Sequence, residues 1–349
     1  MTDLYRRFDG YDELKSILEG SDEDVLVALG GKPALVRIPG TTSGERRARF
    51  LACLLHGNED SGFRAVVDLL RGTPHFPFDL WVLIGNVRAA TTDGWFAHRY
   101  LDDQEDFNRV WGVEQRTTRM RRCAAAVLTE LAGVDLEAAV DFHNNTGDNP
   151  AYAITPSATQ ASLRLASSCA GTVLLWRLRA HTLMEALQPQ CPAVALECGL
   201  PQRAEHTAFA AAALQRFLSD LDLGLDTDHP APGATRLYEM RYRVTVRPEV
   251  AFTFGGALTG ELDLVLTPAL DGANFGMLLA GTEVGHVAPG TAVPLDARDM
   301  RDADVTERLF SVTDEGALVL REDVTPVMMT TTVRQARRDC LFYVARRRR

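Results

Sequence analysis

The stretch Leu51-Ala52-Cys53-Leu54-Leu55-His56-Gly57-Asn58-Glu59 constrains this chain more than any other part of it. Leu51 to Leu55 form a continuous apolar run, which reads as a buried strand. A polar quartet follows, and Phe63 to Leu70 then carry a helical apolar pattern. A strand passing through a tight turn into a helix places His56 at the carboxyl edge of a sheet, where open α/β folds bind their ligands. Gly57 is expected to let the chain bend sharply there. An imidazole nitrogen and a carboxylate oxygen from Glu59 are two of the three protein ligands of a catalytic His₂Glu zinc site. The spacing suits a turn and not the His-Glu-x-x-His pattern, in which one helix carries both histidines. Taken alone, His56 and Glu59 read more readily as an ordinary strand-to-helix turn with solvated polar residues, so the rest of the chain has to supply the third ligand.

Before this stretch, residues 11–18 read as a short helix, and Asp24–Leu29 and Pro33–Ile38 as strands. Thr41–Glu45 is a polar turn. Beyond the helix at Gly62–Leu70, Phe78–Ile84 is another buried strand, and Val87–Trp111 is a long irregular stretch of the kind that tends to be functional. Arg116–Leu131 and Ala158–Cys169 read as helices, Leu136–Phe142 and Val173–Trp176 as strands, Pro192–Leu196 as a strand ending at Glu197, and Ala204–Leu221 as a helix. Strands alternating with helices predict an α/β layer with a mostly parallel sheet. At Thr227–Gly233, two prolines and a glycine mark a boundary, and short alternating segments such as Tyr242–Val246 and Leu262–Leu266 follow. The reading is two domains: residues 1–226, an α/β catalytic domain, and residues 234–349, a smaller all-β domain expected to narrow the active-site cleft.

Composition excludes several functions. Among 349 residues, 37 basic side chains face 47 acidic ones, a net charge of −10 that argues against a nucleic-acid-binding body. The terminal Arg346–Arg349 is expected to be a solvated, frayed end. Lysine occurs only at Lys15 and Lys32, so nothing later in the chain can form a Schiff base or carry a lipoyl or biotin group. The cysteines Cys53, Cys123, Cys169, Cys191, Cys198 and Cys340 show no paired C-x-x-C spacing, and several lie within apolar segments, as small core residues often do. No signal-peptide region or membrane-length apolar run is present, so a reduced, cytoplasmic protein without a membrane partner is expected.

Three strands end in chemistry-bearing groups: His56 with Glu59, His143 in Asp141-Phe142-His143-Asn144, and Glu197 in Leu196-Glu197-Cys198-Gly199. His143 would complete the zinc set, with Asp141 on the same face as support from behind. In the long loop, Asn108 and Arg109 together can hold a substrate carboxylate, Arg109 through its two-pronged fork. A surface ion pair to Asp102, Asp103, Glu105 or Asp106 is the competing role for Arg109.

The motifs His56-Gly57-Asn58-Glu59, Asp106-Phe107-Asn108-Arg109, Asp141-Phe142-His143-Asn144 and Leu196-Glu197-Cys198-Gly199 resemble, in order, those of the succinylglutamate desuccinylase/aspartoacylase family of zinc carboxypeptidase-like amidohydrolases. Asn274-Phe275 and Gly281-Thr282-Glu283 resemble part of that family's C-terminal domain. The resemblance implies a zinc-carboxypeptidase-like mixed sheet flanked by helices. It also implies one Zn²⁺ on His56, Glu59 and His143, with zinc-bound water as nucleophile. Glu197 would be the general base, Arg99 would polarise the scissile carbonyl, and Asn108 and Arg109 would grip the carboxylate of a small N-acyl amino acid. General chemistry supports these roles: zinc acidifies water, a carboxylate shuttles its proton, and a fixed arginine steadies the oxyanion.

The chain departs from the family pattern at three places. Arg99 lies two residues further from Asn108 than is usual, Glu185–Pro192 lacks the arginine that aspartoacylases share, and Val87 replaces the usual proline after Asn86. A metallocarboxypeptidase acting on peptides, and a non-catalytic zinc-binding relative, are the alternatives. The acyl group, the amino acid and homo-oligomer formation are left open.

Overall fold

The computed structural model describes residues 3–42, 47–219 and 235–348. The expected turn at Thr41–Glu45 lies partly outside these residues, and the boundary at Thr227–Gly233 wholly so. The chain forms two compact units, residues 1–144 with 151–235 and residues 145–150 with 236–349.

The first unit is a mixed α/β layer. Its elements run β1 (Arg6–Asp9), α1 (Tyr11–Leu14), α2 (Asp22–Leu29), β2 (Ala34–Ile38), β3 (Ala48–Cys53), α3 (Asp60–Arg71), β4 (Asp79–Ile84) and α4 (Val87–Thr91). A 3₁₀ turn at Phe107–Arg109 precedes α5 (Arg119–Leu131), β5 (Leu136–His143), β6 (Tyr152–Thr155), α6 (Gln160–Cys169), β7 (Thr172–Leu175), α7 (Leu183–Leu187), β8 (Ala193–Glu197) and α8 (Ala204–Ser219). The strand order is β1-β2-β4-β3-β5-β8-β6-β7. At its centre β4, β3, β5 and β8 are parallel, whereas β2 and β6 run against their neighbours β4 and β8. The carboxyl ends of β3, β5 and β8 therefore lie side by side on one edge.

Helices cover the layer. Phe50, Ala52, Ala139 and Ala193 from the strands share one core with Trp111, Met120, Val127, Leu183 and Leu187. On another flank, α3 packs directly on β5: a Cβ at Gly62 would stand 2.2 Å from Phe142 Cβ, so only glycine permits this approach. Arg49, fully buried in β3, is paired with Glu137 at 2.8 Å and stacked over the Phe78 ring, which meets the demand that a buried charge be partnered.

Three local expectations are corrected. Asp24–Leu29 is helix, not strand. Ser21 Oγ accepts the Asp24 N–H and the Asp24 carboxylate accepts the Ser21 N–H, a capping box that starts α2 and turns Val25, Leu26 and Leu29 inward. The run Leu51–Leu55 does not stay extended to its end, because β3 stops at Cys53. Within Val87–Trp111, α4 and the 3₁₀ turn interrupt what reads as irregular chain.

The second unit is β-rich. Its elements are β9 (Arg236–Val246), β10 (Phe252–Phe254), β11 (Leu264–Leu266), β12 (Glu283–Val287), β13 (Leu295–Asp299), α9 (Thr306–Leu309), β14 (Phe310–Val312), β15 (Ala317–Leu320), β16 (Thr325–Val327), α10 (Val333–Arg338) and β17 (Phe342–Arg347). Strands β13 and β17 flank β9, with β16 beside β17, and β10-β11-β12-β15-β14 form a second sheet. Val244, Leu264, Leu295, Phe310, Leu318 and Phe342 fill its core. Asn149 ties residues 145–150 into this unit, donating to Met329 O and accepting the Met328 N–H. The basic end is not frayed as far as Arg348. Arg346 and Arg347 pair with Glu239 and Tyr238 in the β17–β9 ladder, and Arg348 N–H bonds Leu237 O at 2.8 Å.

All six cysteines are free and buried, including those outside the apolar segments. Among the described residues no helix is long and apolar enough to cross a membrane.

Candidate metal centre

The bend that delivers His56 falls at Leu54, whose φ is 58°, and not at Gly57. A branched residue in the left-handed region is strained, and tight bonds hold it: Gly85 N–H to Cys53 O at 2.9 Å and Asn86 N–H to Leu54 O at 2.6 Å. Gly57 serves a different purpose. A Cβ there would meet Ala89 Cβ and Ala90 N at 2.6 Å, so its missing side chain lets α4 lie against the turn. The Gly57 N–H also bonds Arg99 O at 2.9 Å, which draws the distant Arg99 to this edge.

Glu59 occupies the N-cap position of α3 but makes no capping bond. Its carboxylate faces the histidines instead: Oε1 lies 2.8 Å from His56 Nδ1 and Oε2 lies 2.7 Å from His143 Nδ1. The two rings are 5.2 Å apart, and ligand atoms of His56, Glu59 and His143 all fall within 4.8 Å of one another. All three are buried. Each histidine has its other nitrogen against an outer carboxylate, His56 Nε2 at 2.9 Å from Asp106 and His143 Nε2 at 2.7 Å from Asp141. Asp141 thus stands where alternation along β5 puts it.

The charges are strongly coupled. Burial alone would raise the Glu59 carboxyl, but the two imidazoles hold it well below the usual carboxylate range. Burial works against a charge on His143, yet Asp141 and Glu59 raise it well above an ordinary histidine. A ring set between two carboxylates in a dry pocket favours positive charge between them.

Glu197 is the register partner of His143 on the neighbouring parallel strand, and Cys198 N–H bonds His143 O at 2.8 Å. Burial pushes its carboxyl up to about 7, with the charge of His143 opposing and that of Glu59 adding to the rise. Asn144 braces the strand ends: Oδ1 accepts Ser61 N–H at 3.1 Å, and Nδ2 donates to Ser61 Oγ and Gly199 O, both at 2.9 Å.

Arg99 is brought to the cluster despite its longer spacing. Its Nε bonds Asp106 Oδ2 at 3.0 Å and its Nη1 lies 3.5 Å from Glu59 Oε1. Asn108 is buried and its amide is engaged, with Oδ1 accepting Leu183 N–H at 2.9 Å and Nδ2 lying 3.1 Å from His143 Nε2. Arg109 is half-buried, donating to Asn108 O at 3.0 Å. Asp106 is the residue that sequence reasoning undervalued. Its Oδ1 also accepts Asn108 N–H at 2.9 Å, so one carboxylate orients His56, Arg99 and the 3₁₀ turn. The Asp-x-Asn spacing, typical of an Asx turn, was the available signal.

Comparison with protein-family models finds no match, and comparison with curated proteins finds none. Solved structures do match over most of the chain. The succinylglutamate desuccinylase from Chromobacterium violaceum superposes with a TM-score of 0.57 at 18% identity, covering 90% of this chain and 88% of its own. A succinylglutamate desuccinylase/aspartoacylase from Rhodobacter sphaeroides gives 0.58 at 16% identity, covering 90% and 89%. Murine aminoacylase 3 gives 0.50 at 16% identity, covering 88% and 97%. The chain therefore shares the fold of succinylglutamate desuccinylase/aspartoacylase structures, as its four motifs suggest.

Proposed function

We propose that this chain is a zinc-dependent amidohydrolase of the succinylglutamate desuccinylase/aspartoacylase kind, cleaving the amide bond of a small N-acyl amino acid. One observation carries the reading: His56 Nδ1 and His143 Nδ1 converge on the two oxygens of Glu59, with buried Glu197 on the adjacent strand. The donor set fits the ion, since two imidazoles and one carboxylate leave a tetrahedral position open. His56, Glu59 and His143 would hold one zinc per chain. The carboxylates behind each ring fix the tautomer and raise the basicity of the ligating nitrogen. When bound, zinc supplies Lewis acidity toward an amide oxygen and lowers the pKa of water. The shared fold supports a hydrolase of this class.

The chain's own groups do the rest. Glu197 takes a proton from the attacking water and hands it to the leaving amine nitrogen. Arg99, held by Asp106 at the rim of the cluster, donates to the amide oxygen as charge develops there; such a donor is worth roughly 3 kcal/mol. Arg109 anchors the α-carboxylate. Asn108, whose amide is spent on Leu183 N–H and lies beside His143, contributes mainly by fixing that turn. All these residues lie in the segment 1–226, which we assign as the catalytic domain, with 234–349 a β-rich accessory.

The test is zinc-loaded protein assayed against a panel of N-acyl amino acids and short peptides. Preferred hydrolysis of the acyl amino acids supports the proposal. Peptide preference would indicate a metallocarboxypeptidase, and bound zinc without any turnover a non-catalytic relative. Metal analysis should find one zinc per chain, lost in His56→Ala and His143→Ala. Full occupancy in both variants would sink the ligand assignment.

A further inference from the structure

The sequence ends in a run of arginines, and Arg346, Arg347 and Arg348 line a groove of about 900 Å³ in the second unit together with Arg241 and Arg308. Grooves of that volume hold small ligands. Three elements supply these guanidinium groups: Arg241 stands on β9, Arg308 in α9, and the other three at the end of β17 and just past it. Arg308 is fixed, with its Nη2 at 3.2 Å from Glu322 Oε2 and its guanidinium over the Tyr242 ring. Arg241, Arg346, Arg347 and Arg348 are exposed, and their side chains make no hydrogen bond or ion pair among the described residues. The carboxylates in the lining are those of Glu239, Glu322 and Asp323, so arginine outnumbers them here in a chain whose net charge is −10.

The chain holds these like charges together, although a frayed end would let them separate. Arg346 and Arg347 lie in register with Glu239 and Tyr238 of β9, and Arg348 N–H bonds Leu237 O at 2.8 Å. Successive side chains of a strand point to opposite faces, yet all three line one groove. On its other side β17 overhangs β16: Thr325 is paired with Ala345, and no residue of β16 pairs with Arg346 or Arg347. The groove therefore takes in the open edge of β17 as well as its face. Because Arg348 turns its N–H toward β9, the alternation of an antiparallel ladder aims that of Arg347 at the open edge. Charges on an open edge also deter pairing with another chain, but that role needs neither a groove nor Arg241 and Arg308.

We propose that this groove binds a compact multivalent anion, a polyphosphate or polycarboxylate group on a small molecule, with Arg241, Arg346, Arg347 and Arg348 pairing with its oxygens and the Arg347 N–H donating from the strand edge. Planar guanidinium groups suit such oxyanions through paired N–H donors. The carboxylates in the lining repel a long polyanion laid through the groove, such as a nucleic-acid strand, and leave room for a short one. No residue of the candidate metal centre lines the groove, so the site stands apart from the hydrolase reading.

The test is calorimetric titration of the full chain with tripolyphosphate, citrate and monovalent acetate. Because the first two also take up zinc, the protein is stripped beforehand with phenanthroline, a neutral chelator, and dialysed. The triple variant Arg346→Gln/Arg347→Gln/Arg348→Gln alters exposed side chains and keeps the backbone ladder. Arg241→Gln, on a different strand, carries the test if the triple variant fails to fold. Arg116→Gln/Arg122→Gln/Arg301→Gln removes as much charge as the triple variant from residues that do not line the groove. The expected result is one saturable site per chain for tripolyphosphate and none for acetate. Its affinity should fall about tenfold or more in the triple variant, fall also in Arg241→Gln, and hold in the charge-matched control. Citrate binding with the same pattern assigns the groove to multivalent anions in general, and its absence assigns it to phosphates; either supports the site. No saturable binding in the wild type, or unchanged affinity in the groove variants, would overturn it. Equal weakening in the charge-matched control would overturn it too, by showing a diffuse field in place of a site. Tighter binding of an oligodeoxynucleotide than of tripolyphosphate would overturn the assignment to a small anion. Binding is read without turnover, so an inactive substrate panel leaves this result standing.

Discussion

Asp106→Asn is the substitution that probes the centre most directly. The carboxylate faces His56 Nε2 at 2.9 Å and Arg99 Nε at 3.0 Å while also accepting Asn108 N–H at 2.9 Å. Burial opposes its charge, yet Arg99 and His56 hold the carboxyl well below the usual range. Asparagine keeps the shape and one acceptor oxygen, which can still serve His56, but turns an NH₂ donor toward the Arg99 guanidinium. Outer partners of ligating histidines are typically worth 10–100-fold in metal affinity. With one acceptor retained, we predict a loss of about tenfold, or about 1.4 kcal/mol. Asp106→Ala, which leaves neither oxygen, should approach about a hundredfold. Competition for zinc against a chromophoric chelator measures this, and thermal unfolding of the chelated proteins separates metal affinity from fold stability. Wild-type zinc affinity in both variants, with the fold intact, would refute the idea that Asp106 orients His56.

Three further outcomes follow from the same geometry. Glu197→Gln should keep its zinc and lose about 10²–10⁴-fold in kcat; near-normal turnover would require a different base. Arg109→Lys should fold and bind zinc but lose about tenfold or more in kcat/KM, because lysine cannot reproduce the two-pronged contact. If that variant still separates an N-acyl amino acid from its carboxamide analogue as well as wild type does, the anchor lies elsewhere. Gly57→Ala should cost about 1–3 kcal/mol in denaturant unfolding through overpacking, since the new Cβ would lie 2.6 Å from Ala89 and Ala90. Unchanged stability there would mean that α4 is free to move.

Much of the sheet was legible because its central strands are buried on both faces and read as apolar runs. Leu136–His143 and Ala193–Glu197 lie within a residue or two of where their patterns put them. The segment at Asp24–Leu29 was misread because an unbroken apolar run, Val25 to Leu29, says little about its period, and a cap three residues before Asp24 decided the matter. The bend at Leu54 carried no signal at all. Sequence reasoning assigns positive φ to glycine, whereas here bonds from the next strand impose it on a leucine. Asp106 was hidden beside three acidic neighbours, Asp102, Asp103 and Glu105, with which it reads as one more surface ion-pair partner for Arg109. Only the fold shows that one of them turns inward.

The pairing of His143 with Glu197 across the β5–β8 ladder has a consequence for how such a protein can diversify. Neighbouring strands sit about 4.8 Å apart by virtue of their backbone bonds, whatever side chains they carry. The spacing between those two groups is therefore a property of the ladder and is insulated from drift in the loops. Arg99 and Arg109 belong to the connecting segments, where insertions and exchanges are tolerated. Lineages sharing this scaffold can exchange one set of ligands for another by rewriting those segments, while inheriting the spacing unchanged.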